Sequence, residues 1–102
     1  FSDILVTKTL GQPGYRSYMS DPEILRVIDV TAHYYKAQPV VIPTYPGTGP
    51  MYYIHEAFGA PIASLGIGYA NTNDHAPNEN IRLDDYNQHI DVIKALIRSY
   101  EK

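Results

Sequence analysis

The chain has 102 residues, a length that fits one compact domain. Eight Lys and Arg residues against 11 Asp and Glu residues give a formal net charge of -3, which argues against a nucleic-acid-binding surface. The absence of cysteine excludes disulfides and thiolate metal sites, and no apolar stretch is long enough to span a membrane. We therefore expect a protein that binds neither nucleic acid nor membrane. The lack of cysteine neither requires nor excludes an oxidising compartment, and the expected location is the cytoplasm.

The N-terminal segment reads as a β-strand. Residues 3–10 (DILVTKTL) are rich in β-branched side chains, and Gly11 ends the run. The chain starts at Phe1 without a methionine, and its first residues already resemble the middle of a strand. From this we expect a piece of a longer protein.

The next element is predicted as a helix. The sequence SDPE at residues 20–23 combines a capping residue, a proline and an acidic first turn, and the helix is expected to run to about Lys36. Its apolar positions follow the helical period: Ile24, Val27, Ile28 and Tyr35.

The middle of the chain predicts a strand, a helix and a second strand. Residues 40–42 (VVI) lie between prolines, residues 51–58 form a short helix before Gly59, and residues 61–69 are again apolar. This order predicts a right-handed crossover between parallel strands and hence an α/β fold. A polar loop at residues 70–80 and a final helix capped by Asp84 or Asp85 follow.

His75 is the candidate metal ligand, because a histidine at the carboxyl end of a parallel strand can offer its imidazole to zinc or manganese. A solvated loop histidine is the alternative. His89 and Asp91 lie two residues apart on a predicted helix, point in different directions and are not expected to share an ion. His33 and His55 are expected to be packing or surface groups.

The segment GTGP at residues 47–50 precedes a helix and presents backbone N–H groups where a carboxylate or phosphate could dock. It lacks the lysine of a nucleotide-binding P-loop, and a plain strand-to-helix turn is the alternative. Arg16 can pair with a substrate carboxylate or with an acid on a neighbouring segment.

Taken in order, five segments resemble the C-terminal part of the co-catalytic metallopeptidase family of aminoacylases, carnosinase-type dipeptidases, acetylornithine deacetylases and succinyl-diaminopimelate desuccinylases. The segments are PGYR at 13–16, GTGPM at 47–51, GIGY at 66–69, HAPNEN at 75–80 and RLDDY at 82–86. The resemblance covers nearly the whole chain, and its most specific part is HAPNE.

The resemblance implies a hydrolase of dipeptide or N-acyl-amino-acid amide bonds with two divalent metal ions, usually zinc, cobalt or manganese. In such enzymes metal-activated water attacks the carbonyl carbon. His75 matches the family's last metal ligand and also lies at the substrate, and Gly47, Thr48 and Gly49 match substrate-binding positions. No residue of this chain matches a catalytic acid or base.

The resemblance also implies a fold, a partial three-layer α/β catalytic domain of the zinc-peptidase type. Residues 1–12 would be the closing strand of an inserted lid and dimerisation domain, and residues 13–102 the C-terminal portion of the catalytic domain in a homodimeric parent enzyme. The segment 45–47 (YPG) departs from the usual Gly-rich approach to the substrate loop, which leaves the substrate class open. The family's other metal ligands have no match here, so we expect the chain alone to be inactive.

Two further functions are compatible with the residues. The chain could be a non-catalytic binding or interaction module that uses the anion-binding loop at 47–49 and its tyrosine-rich surface. A phosphate-ligand domain of nucleotide type would require basic residues around that loop, and none lie nearby.

Overall fold

The computed structural model describes residues 2–101, and their regular structure consists of three α-helices. Helix α1 spans Pro22–Tyr35, α2 spans Met51–Phe58 and α3 spans Leu83–Arg98. The predicted positions of all three helices are confirmed. Among these helices, none has the combination of length and apolar composition that a membrane span requires.

Local signals set the ends of α1. The Asp21 carboxylate accepts a hydrogen bond from the backbone N–H of Glu23 at 2.9 Å, and Pro22 occupies the first turn, where its missing N–H costs nothing. Lys36 adopts the left-handed conformation (φ 52°), and its backbone N–H donates a hydrogen bond to the Ala32 carbonyl at the end of the helix. The predicted start and the predicted end near Lys36 are both confirmed.

The ends of α2 and α3 follow different rules. Gly59 takes a φ of 65° and donates its N–H to the carbonyl of His55 at 2.7 Å, as predicted for a glycine stop. Helix α3 has Arg82 at its N-cap position without a side-chain capping bond, so the prediction that Asp84 or Asp85 caps it is wrong. Both acids lie inside the first turn, where they complement the helix dipole.

The helices α1 and α3 pack against each other and carry the small core. Ile24 on α1 is 7% exposed and Val92 on α3 is 2% exposed. Arg26 links the two helices, because it donates to the Ser99 carbonyl at 2.9 Å and stacks over the Tyr100 ring. The stripe predicted on α1 is thus confirmed at Ile24, whereas Tyr35 is 45% exposed.

The predicted α/β fold is wrong for the described residues, which contain no strand and no sheet. Residues 3–10, 40–42 and 61–69 lack regular structure, and no backbone hydrogen bond joins any of them to another. A strand requires a neighbouring strand that pairs with its main-chain groups. The apolar pattern was present without such a neighbour, and Val40 is 90% exposed.

This correction extends to the predicted crossover, the three-layer catalytic domain and the leading lid strand, none of which forms within residues 2–101. The division of the chain at residue 12 stays a prediction. Phe1 and Lys102, the outer ends of the two predicted segments, lie outside the described residues.

Candidate functional site

An open groove runs between the two extended middle segments, with α1 beside it. Its volume is about 1120 Å³, and it is bordered by residues 39–45, residues 62–69 and the apolar face of α1. Ser17 ties one border together, since its hydroxyl donates to the Ile62 carbonyl at 2.7 Å and accepts from the Ile62 N–H at 2.9 Å. Most of the side chains that line the groove are apolar.

The predicted substrate loop, Gly47, Thr48 and Gly49, lies just before α2. A Cβ atom at Gly47 would come within 2.8 Å of the exposed Tyr45 ring, so a side chain there would require that ring to move. The Gln12 amide donates to the Gly49 carbonyl at 2.8 Å and ties the loop to the N-terminal segment. Thr48 is exposed.

Arg16 lines the groove and contacts the segment that precedes this loop. Its guanidinium donates to the Pro43 carbonyl at 3.4 Å and to the Thr44 hydroxyl. Among residues 2–101 no acid lies within ion-pairing distance of Arg16. Of the two partners predicted for it, an acid on a neighbouring segment is not found in the described part of the chain.

The predicted metal ligand, His75, is at the tip of the loop between residues 69 and 82. Its side chain is 93% exposed, and the nearest acid is Asp74, whose Oδ1 lies 3.9 Å from the imidazole Nε2. The backbone of His75 is left-handed, with φ 58°. A non-glycine residue in this conformation is uncommon and requires support from its surroundings.

The structure brings the two predicted regions to the same groove without joining them. Tyr45 and Met51, which flank the substrate loop, line the groove, and so do Asp74 and Glu79, which flank His75. Gly47, Thr48, Gly49 and His75 themselves do not line it.

The side chains of this region determine whether it can hold a metal ion. Within the described residues no group of three or more His, Asp or Glu side chains is close enough to hold a metal ion. A catalytic zinc site needs three protein ligands. These residues do not fit a complete metal site, and His75 offers a single imidazole.

The other three histidines lie on helices. His55 contacts the Ala60 carbonyl through Nδ1 at 2.8 Å and packs against the Tyr15 ring at 4.7 Å, which confirms the predicted packing role. His89 and Asp91 both lie on α3, where Asp91 pairs with Lys94 at 3.1 Å. His33 is in the last turn of α1 and is exposed.

Sequence reasoning missed the residue that organises the His75 loop. Asn80 hydrogen-bonds to several points of this loop through both its side chain and its backbone. The sequence did contain a feature that pointed to Asn80. It is an amide at the end of an asparagine-rich loop that begins with a tyrosine, and an amide can both donate and accept hydrogen bonds.

Comparison with protein families identifies a match to this chain. The family model described as Peptidase family M20/M25/M40 matches residues 5–99, which is nearly the whole chain. Searches of curated proteins and of solved structures found no match.

Proposed function

The chain belongs to Peptidase family M20/M25/M40, and on that basis we propose that it forms part of a metal-dependent hydrolase that cleaves the amide bond of dipeptides or N-acyl amino acids. The observation that supports this proposal most is the presentation of His75, an exposed imidazole on a loop in a strained backbone conformation. Backbone strain of this kind concentrates at functional sites.

In this proposal His75 is one ligand of a pair of divalent metal ions, zinc or else cobalt or manganese. The proposal takes the remaining ligands and the catalytic acid and base from another part of the enzyme, since the described residues contain no group of three or more His, Asp or Glu side chains that could hold a metal ion. The chain alone is then inactive. The proposal includes a cytoplasmic location and a homodimeric enzyme.

The substrate-binding part of the proposal rests on the loop at 47–49 and on Arg16. The loop offers backbone N–H groups and the Thr48 hydroxyl ahead of α2. Arg16 contacts Pro43 and Thr44, which precede the loop, and has no acidic partner among the described residues, which leaves a cation available to a carboxylate. Dipeptides and N-acyl amino acids both carry a free carboxylate.

The test is the substitution His75→Ala in the enzyme that contains this chain. Because a ligand is lost, we expect a lower metal content and a fall in kcat/KM of at least about a hundredfold, with an unchanged circular dichroism spectrum. His89→Ala is the matched control, since His89 lies on α3 away from the loop. It should leave both metal content and activity unchanged.

Two results would contradict the proposal. Full activity and metal content in His75→Ala would show that His75 is not a metal ligand, and the absence of amide hydrolase activity in the unsubstituted enzyme would favour the non-catalytic binding module. Dipeptide hydrolysis by the purified 102-residue chain, abolished by a chelator, would show that the described residues suffice for catalysis.

A further inference from the structure

The His75 loop is closed at its base by reciprocal hydrogen bonds between Thr72 and Asn80. The Asn80 N–H donates to the Thr72 carbonyl at 2.9 Å, and the Thr72 hydroxyl donates to the Asn80 carbonyl at 2.6 Å. The two ends of the segment that contains His75 are therefore held side by side.

The Asn80 side chain adds three contacts to this closure. Its Oδ1 accepts from the Tyr69 hydroxyl at 2.5 Å, and its Nδ2 donates to the carbonyls of Asn78 at 3.0 Å and Asn71 at 3.3 Å. Only an amide provides an acceptor and two donors from one short side chain. Aspartate in this place would keep the contact with Tyr69 and lose the other two.

The loop that Asn80 closes is strained. Asn73, His75 and Asn78 have φ values of 54°, 58° and 62°, all in the left-handed region. Such conformations persist only where surrounding contacts determine them. The His75 ring makes no hydrogen bond among the described residues, so the backbone of the loop sets the direction in which its side chain leaves the main chain.

The base of the loop is also attached to α3. The Arg82 guanidinium lies 4.8 Å from the centre of the Tyr69 ring, and its Nε lies 2.5 Å from the Asp85 carboxylate in the first turn of the helix. Tyr69 thus contacts Arg82 through its ring and Asn80 through its hydroxyl, and these contacts connect the loop to α3.

We propose that Asn80 is a positioning residue that keeps the 69–82 loop closed and directs the His75 imidazole outward. Its importance for hydrolysis rests on the proposed function, in which His75 is a ligand. The holding of the loop itself is independent of that function.

The experiment compares Asn80→Ala, Asn80→Asp and the control Asn71→Ala by NMR of the 102-residue chain. Asn71 is in the same loop, and its side chain makes no hydrogen bond within the described residues. The readouts are amide hydrogen exchange at Ala76 and Glu79, whose N–H groups bond inside the loop, and the His75 HN–Hα coupling, which reports its φ.

In Asn80→Ala we expect exchange at both amides to accelerate at least about tenfold and the His75 coupling to average, because the three side-chain contacts of Asn80 are lost and only its backbone bonds with Thr72 remain. Asn80→Asp should lie between Asn80→Ala and the unsubstituted chain, and Asn71→Ala should match the unsubstituted chain. The exchange rates of α3 amides should stay constant in all variants. Unchanged exchange and coupling in Asn80→Ala would overturn the inference.

A second readout in the enzyme separates this inference from the proposed function. Asn80→Ala is expected to lower kcat at least about tenfold and to change KM little, because the substrate loop at 47–49 is untouched. If the NMR effect appears and the enzyme has no amide hydrolase activity, the proposed function fails and the role of Asn80 in the loop stands. If the NMR effect is absent, the role of Asn80 fails whatever the activity.

Discussion

At the scale of single residues, Tyr100 shows how one contact changes a titration. Its hydroxyl donates a hydrogen bond to the Glu23 carboxylate, and this bond raises the pKa of Tyr100 above its usual value, with desolvation and the charge of Glu23 acting in the same direction. The positive charge of Arg26 acts in the opposite direction and is weaker. The contact joins the C-terminal end of the chain to the first turn of α1.

The substitution Glu23→Gln should return the pKa of Tyr100 toward the usual value of about 10, because the carboxylate acceptor is lost. A pKa raised by folding means that the contact stabilises the fold below pH 10 or so and that this stabilisation is lost as the pH rises through the raised pKa. The measurement is the NMR titration of the Tyr100 ring carbon. Asp29→Asn, an exposed acid on the same helix, is the control. An identical Tyr100 titration in Glu23→Gln would refute this account.

At the scale of elements, the ends of the helices depend on residues adjacent in the sequence, whereas the loop conformations depend on contacts between residues farther apart. Helix α1 has a complete set of end signals, from Asp21 and Pro22 to Lys36. The His75 loop has none of that kind, and its conformation comes from the hydrogen bonds that converge on Asn80. Helices were therefore predictable here, whereas the geometry of the candidate site was not.

The substitution Asp21→Ala should destabilise α1 by about 1 kcal/mol, because the Glu23 N–H loses its side-chain acceptor. The check is the free energy of unfolding in urea, followed by helical circular dichroism. Ser20→Ala is the matched control, since the neighbouring Ser20 makes no capping bond in the described structure. Equal destabilisation by the two substitutions would show that the cap does not account for the helix start.

At the scale of the whole molecule, the chain exposes an unusual amount of surface. Its accessible area is 8765 Å², about one and a half times the roughly 5,800 Å² expected for a folded monomer of its mass. The radius of gyration is 17.3 Å, against about 13 Å for a compact domain of this length. Much of the excess is apolar, and it includes Val40 and Ile42 beside the groove.

We expect the purified chain to associate with itself as its concentration rises, because the exposed apolar surface and the unpaired main-chain groups of residues 40–42 favour contact with other chains. Sedimentation velocity over a range of concentrations measures this. Val40→Asp, on the groove, should weaken the association, and Leu5→Asp, the same kind of change away from the groove, should have a smaller effect. A monomer at all concentrations would contradict the expectation.

The sequence by itself determined the three helices and the family, because the end signals of α1 and α2 and the helical periodicity are local features, and the family match over residues 5–99 depends on the sequence alone. The tertiary structure alone decided that residues 40–42 and 61–69 stay unpaired, since pairing depends on which backbone lies alongside and not on the apolar pattern of the strand itself. It also decided how His75 is presented, because the contacts of Asn80 with Tyr69 and Thr72 cross eight or more positions of the chain and arise only when the loop closes.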